Sequence, residues 1–167
     1  NPFDVSKAEV VARKQIHELI GFLKENSNAF NESALISVAV NIGVRESRKL
    51  KGVHILTGDE LINCTRFEDS IALGNYDIDI HSPDGSGTSH HYFKKGEWYQ
   101  IPYRCLLPKG ISNMLVAGRC ISATHEAQAS VRIMPICACM GEAAGTAAAL
   151  ARKTGATAHT LDVKLLQ

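Results

Sequence analysis

Apolar residues recur three or four positions apart over residues 5–23. Val10, Ile16, Leu19, Ile20 and Leu23 share one face, and Lys7, Lys14 and Lys24 fall outside it. This spacing predicts an amphipathic packing helix, with Asp4 or Ser6 placed to cap its start. A polar turn follows over residues 26–32. Residues 34–42 are apolar and partly alternating, which predicts a strand, and residues 52–57 predict a second. The segment Arg45-Glu46-Ser47-Arg48 lies between the two strands or at the end of the pair. Thr57 or Asp59 is placed to cap a short helix running to Cys64, and the acidic pair Asp59-Glu60 suits the positive end of its dipole.

Over residues 71–83 the pattern changes to period two. Ile78 and Ile80 alternate with Asp77, Asp79 and His81, predicting a strand with one polar face. Residues 82–96 read as a loop, with turn chemistry at Asp84-Gly85-Ser86-Gly87. Residues 97–103 resume as a strand in which Trp98, Tyr99 and Tyr103 are packing residues.

The chain is organised around residues 101–152. Met114-Leu115-Val116-Ala117 is a short apolar run, consistent with a buried parallel strand, and it stops at Gly118. Arg119 follows, with a planar fork of donors suited to phosphate or carboxylate. A polar loop comes next, containing Ser122, Thr124, His125, Glu126, Gln128 and Ser130. Pro135 then stands in the first turn of a helix expected to reach Lys153. Gly141, Ala144, Gly145, Ala148 and Ala151 share a face of that helix. Two interior glycines cost roughly 1 kcal/mol each relative to alanine. The expected offset is close approach of another backbone or a flat ligand. The helix start is also suited to an anion, because its free N–H groups and dipole favour negative charge.

Composition narrows the function classes. The 167 residues suit one domain with at most a small appended lobe. The formal net charge of +1 gives no support for nucleic-acid or membrane-surface binding. No uninterrupted apolar run approaches the ~18 residues of a membrane span. The five cysteines, Cys64, Cys105, Cys120, Cys137 and Cys139, are odd in number and contain no C-x-x-C. This is neither a disulfide framework nor a zinc or iron–sulfur motif. Cys137 and Cys139 point roughly 200° apart on an ideal helix, which disfavours joint ligation. The adjacent His90 and His91 face opposite ways on any strand, which disfavours a shared metal.

Several segments, in order, carry a family resemblance: Gly43-Val44-Arg45-Glu46-Ser47-Arg48, Leu56-Thr57-Gly58-Asp59-Glu60, Ile101-Pro102-Tyr103-Arg104, Leu106-Leu107-Pro108-Lys109-Gly110, Leu115-Val116-Ala117-Gly118-Arg119-Cys120-Ile121-Ser122-Ala123, Ser130-Val131-Arg132-Ile133-Met134-Pro135 and Met140-Gly141-Glu142-Ala143-Ala144-Gly145. Together they resemble the C-terminal part of FAD-dependent oxidoreductases, in the broad bacterial subgroup related to the flavoprotein subunit of heterodisulfide reductase. The resemblance covers residues 5–167. Such enzymes open with a glycine-rich dinucleotide motif. No G-x-G-x-x-G occurs here, since Gly85-Ser86-Gly87 is followed by Thr88-Ser89-His90. The expectation is therefore a C-terminal fragment.

The resemblance implies an α/β class, as an α+β fragment of a two-domain, Rossmann-like FAD-binding oxidoreductase. Residues 1–100 would form a substrate-side segment and residues 101–167 would complete the FAD-binding domain. It implies FAD contacts at Gly118, Arg119, His125, Arg132, Met134, Pro135 and Gly141. Gly118 and Arg119 would meet the ribityl-diphosphate region. Residues 125–132 and the amides near Met134 would approach the pyrimidine edge. Flavoprotein families that place an aspartate after this glycine differ from this chain, which has Arg119. Arg45, Arg48 and His81 fall on the substrate side. The arginines read either as surface charges or as binders of a substrate carboxylate or reduced flavin. His81 reads either as a proton donor or acceptor or as a structural histidine. The implied partners are a small polar or anionic substrate and the missing N-terminal half. A homo-oligomer is open, and neither nucleic acid nor a membrane span is implied. Some relatives carry iron–sulfur clusters, without a cluster motif in this segment. The fragment alone would be inactive. The alternative is a non-catalytic substrate-binding or subunit-contact module derived from the same fold.

Overall fold

The computed structural model describes residues 1–81 and 87–167, with the backbone alone at His81 and Thr88. The chain divides into two compact units, Asn1–Val44 and Arg45–Gln167.

In the first unit the predicted helix is α1, Pro2–Asn26. It begins earlier than expected. Asn1, rather than Asp4 or Ser6, is the cap, its side chain accepting from the Phe3 amide at 3.1 Å. Pro2 fits the first turn because it has no N–H to leave unpaired. A single 3-10 turn, Asn28–Phe30, follows. The strand expected over residues 34–42 does not form. Its backbone groups turn to α1 side chains instead. The Ile42 amide donates to Glu9 Oε1 at 2.5 Å, and Arg13 Nη2 donates to the Val40 carbonyl at 3.0 Å. Alternation alone does not make a strand without a ladder partner to satisfy its amides.

The second unit mixes helices with two small antiparallel sheets. Thr57 caps α2 (Gly58–Ile62) through a complete capping box with Glu60. Strand β1 (Ser70–Gly74) pairs antiparallel with β4 (Tyr99–Pro102), with an irregularity between Ser70 and Ala72. Strand β2 (Ile78–His81) pairs with β3 (Thr88–His91) in register Asp79↔His90 and Ile80↔Ser89. The expected loop over residues 82–96 therefore carries β3. Apart from Gly87, its expected turn at residues 84–87 lies outside the described residues. Residues 52–57 are not a regular strand. They thread between two segments, the Val53 amide donating to Leu107 O (2.9 Å) and the Leu56 amide to Ser122 O (3.0 Å).

Two helices follow. Residues 125–131, expected in a polar loop, form α3 (His125–Val131), with Thr124 accepting from the Ala127 amide. The small-residue helix is α4 (Met134–Thr154), closed by Gly155 in the left-handed region at φ +72°. Its best 18-residue window has a mean hydropathy of 1.3, long and apolar enough to cross a membrane by length and composition alone. That exceeds the expectation from uninterrupted apolar runs. In this fold α4 packs on β1. The run at residues 114–117 is not a strand. Met114 is 47% exposed, and Val116 donates one ladder-like bond, to Leu106 O at 2.9 Å.

The core gathers Leu56, Leu61, Tyr99, Ile101, Leu106, Ile121, Val131 and Met140, all buried. Gly74 is required by packing: a Cβ there would lie 2.5 Å from the Tyr99 ring. The aromatic residues pack as expected. Tyr99 and Tyr103 are buried, and Trp98 lies under the Arg66 guanidinium at 3.3 Å.

Candidate functional site

Helix α3 assembles the site. Its residues Ala127, Gln128, Ala129, Ser130 and Val131 are all buried, so its polar members must find partners inside the protein. The partners they find are backbone groups of residues that line one cavity. Gln128 Nε2 donates to the Arg45 carbonyl at 2.9 Å and lies 3.5 Å from the Arg119 carbonyl. One buried amide thus ties together two arginine-bearing segments distant in sequence. Ser130 Oγ donates to the Tyr76 carbonyl and is 2.7 Å from the Tyr99 hydroxyl. Burial pushes the Tyr99 phenol up to about 12, which keeps it neutral and able to donate to Ser130. Arg132, the C-cap of α3, reaches the Asp79 carbonyl on β2 at 3.4 Å.

The resulting cavity has a volume of about 390 Å³. Arg45, Arg119 and Arg132 line it with Tyr76 and Asp79, and Ile133, Met134 and Pro135 at the head of α4 close it. Ile133 offers no side-chain cap, so the first amides of a 21-residue helix face their surroundings without one. Three arginines and a positive helix end give the lining a cationic character, with Asp79 as its one carboxylate residue. A second cavity, about 370 Å³, shares Tyr76, Ile133 and Pro135 with the first and continues along Leu73, Ile136 and Cys139. A space lined by three arginines therefore adjoins one that has no arginine and is lined by Asn75 and Asp77 as well.

The cavity brings together five of the residues named from the sequence: Arg45, Arg119, Arg132, Met134 and Pro135. Gly118 directly precedes Arg119, with φ +92° and open space around its Cα. His125 does not line the cavity. Its Nδ1 lies 2.5 Å from Glu46 Oε2, and Glu46 also holds Lys49 Nζ at 2.6 Å. Burial pushes the Glu46 carboxyl up, but the bonds from Lys49 and His125 outweigh it and hold the group below its ordinary value. Arg48 is exposed and does not line the cavity. Gly141 lies on α4, with no heavy atom within 4 Å of a Cβ built there. The His81 backbone is on β2, but its side chain lies outside the described residues.

Tyr76 and Asp79 are site residues that sequence reasoning gave no role, and Gln128 and Ser130 were named only as members of a polar loop. The available signal for α3 was Thr124 followed by an acidic first turn, a helix-start pattern. Two further cavities are less selective. One, about 460 Å³, contains Arg104, whose guanidinium is already held by both Asp69 oxygens at 2.9 and 3.2 Å. The other, about 530 Å³, lies along Met114, Leu115, Ala144, Gly145 and Ala148 and offers no charged group.

The donor set of the arginine cavity fits a flavin. A planar, polar ring edge that becomes anionic on reduction is matched by guanidinium groups and open helix amides. The three cavity arginines and the head of α4 supply both kinds of donor. The whole chain, residues 1–167, matches the FAD dependent oxidoreductase family, and the chain belongs to that family. No curated protein and no solved structure matches it.

Proposed function

We propose that this chain is the C-terminal portion of a FAD-dependent oxidoreductase and supplies the flavin-ring and substrate-side contacts of its active site. The observation that carries this reading is the convergence of Arg45, Arg119 and Arg132 on one cavity at the head of α4. Bound FAD would supply the redox chemistry, taking up the electrons removed from the substrate. The chain's own part is position and charge. Arg119, Arg132 and the N–H groups of Met134 and Ile136 hold the pyrimidine edge and stabilise its negative charge. Arg45 and Arg48 attract a small polar or anionic substrate, and His81 handles a proton. Gly118 admits the ribityl-diphosphate, and His125 closes the polar side.

In this reading residues 1–100 form the substrate side and residues 101–167 complete a Rossmann-like FAD-binding domain. The open face around Gly141 receives the N-terminal half that carries the nucleotide motif. The bacterial subgroup related to the heterodisulfide reductase flavoprotein subunit is the proposed branch of the family. The competing reading, a non-catalytic module, draws on the open space that a Cβ built at Gly141 or Gly145 would meet outside the helix backbone, a face suited to protein packing as much as to a cofactor domain. Reducible flavin in the purified full-length protein distinguishes the two. Its presence supports the enzyme, and a colourless protein that does not take up added FAD supports the module.

A further inference from the structure

His125 opens α3 outside the lining of the arginine cavity, and it heads a chain of three charged or titratable groups. Its Nδ1 is 2.5 Å from Glu46 Oε2, and Glu46 Oε1 is 2.6 Å from Lys49 Nζ. The Lys49 and Glu46 side chains are only 22% and 24% exposed, whereas that of His125 is 55% exposed. The inner pair is sheltered and the imidazole meets solvent. Burial raises the Glu46 carboxyl, and the bonds from Lys49 and His125 lower it by more than that, so Glu46 is ionised at neutral pH.

An ionised carboxylate can only accept. The ring nitrogen beside it must therefore carry a proton, and a neutral His125 is the Nδ1–H tautomer with its lone pair on Nε2. Nε2 has no hydrogen-bond partner among the described residues. A proton arriving there makes an imidazolium that Glu46 already compensates. The charged groups placed against the ring are Glu46 and Lys49 from residues 45–49 and Glu126, the next residue on α3. The ring is also fastened to the cavity. Glu46 directly follows Arg45, so their Cα atoms are about 3.8 Å apart, and Arg45 lines the cavity. One turn along α3, Gln128 donates to the Arg45 carbonyl at 2.9 Å. We infer that His125 is a proton acceptor of the substrate side, oriented by Glu46 and serving a small carboxylate ligand held on Arg45. The proton leaves an O–H, N–H or C–H bond of that ligand for Nε2, the bonding pair stays on the ligand, and the new imidazolium is paired with Glu46. This deepens the flavoenzyme reading, rests on it for Arg45 as a substrate residue, and adds a second proton-handling group to His81. Glu46 is a positioning residue, acting through the ring.

The test uses the full-length protein. Nitrogen NMR of the labelled histidine rings, with His125 assigned by its loss in His125→Gln, should show the Nδ1–H tautomer for the neutral ring. In Glu46→Leu the ring should lose that single tautomer and revert to the mixture of a free imidazole. Calorimetric titration with acetate then reads whether the ring senses an anion on Arg45. It is done at the midpoint of the His125 titration seen by NMR, in buffers of different ionisation enthalpy. A nearby anion favours the charged imidazole, so acetate should bind with net proton uptake, and His125→Gln should bind acetate without it. A neutral ring in the Nε2–H tautomer would overturn the proposal. So would acetate binding without proton uptake, uptake that survives in His125→Gln, or no acetate binding at all. Flavin content, read from the visible spectrum of the same samples, separates the two readings. A colourless protein that passes both measurements fails only the flavoenzyme reading, and a flavin-containing protein that fails them loses only the proton acceptor.

Discussion

Gln128 is the residue on which the geometry of the candidate site turns. It is completely buried, and its amide donates to Arg45 and approaches Arg119, while its Oε1 has no hydrogen-bond partner among the described residues. Gln128→Met keeps the volume and removes the donors. A buried carbonyl left without its donor costs about 1–3 kcal/mol, so chemical denaturation should show a loss of that size, together with weaker carboxylate binding as Arg45 and Arg119 lose their tie. Unchanged stability and affinity would show that the tie is not needed. Glu46 gives a pH-dependent expectation. Its folded pKa lies below the ordinary 4.5, so its stabilising effect is fully present above about pH 4.5 and is lost as pH falls through the lower, folded value. The difference in Tm between wild type and Glu46→Gln should shrink as pH falls from about 4.5 toward 3. A difference that persists undiminished at pH 3 would contradict this origin. At this scale the sequence was partly legible. Arginine chemistry pointed to Arg119, and the family resemblance to Arg45, Arg48 and Arg132; of these four, Arg48 does not line the cavity. Gln128 and Ser130 were read only as members of a polar loop, because only tertiary structure shows which backbone carbonyls a buried polar side chain will meet.

At the scale of elements, helices were the more legible part. α1 and α4 follow from period and punctuation: a three-to-four apolar spacing in one, Pro135 heading a run of small residues in the other. α2 followed from its cap. Thr57→Ala removes a capping box in which Thr57 Oγ1 accepts from the Glu60 amide and Glu60 returns a bond to the Thr57 amide at 2.8 Å. It should cost about 1 kcal/mol, measured by thermal or urea unfolding, and a loss below a few tenths would show the box to be dispensable. α3 was missed because its face is buried and polar, so it lacks the apolar stripe that period-based reading requires. The strands expected at residues 34–42 and 114–117 failed for the converse reason. Both have the right composition, but strand structure is a property of pairs, and neither segment has a ladder partner among the described residues. β3 was hidden in a loop-like composition and exists because β2 offers it an edge.

For the molecule as a whole, the chain belongs to the FAD dependent oxidoreductase family, and the central proposal is that it forms the flavin and substrate side of a redox enzyme. The sheets described here are small and antiparallel, so the doubly wound architecture of the proposed full enzyme would depend on segments carrying the nucleotide motif. The open face of α4 and the uncapped helix start beside three arginines are where such a partner domain and its cofactor would meet this chain. The most direct measurement is the visible absorbance spectrum of the full-length protein, purified without added cofactor, before and after dithionite. The account predicts a flavin spectrum that bleaches on reduction. A well-folded, colourless protein that also fails to take up added FAD would contradict it, and would leave the arginine cavity as the binding site of a module without redox function.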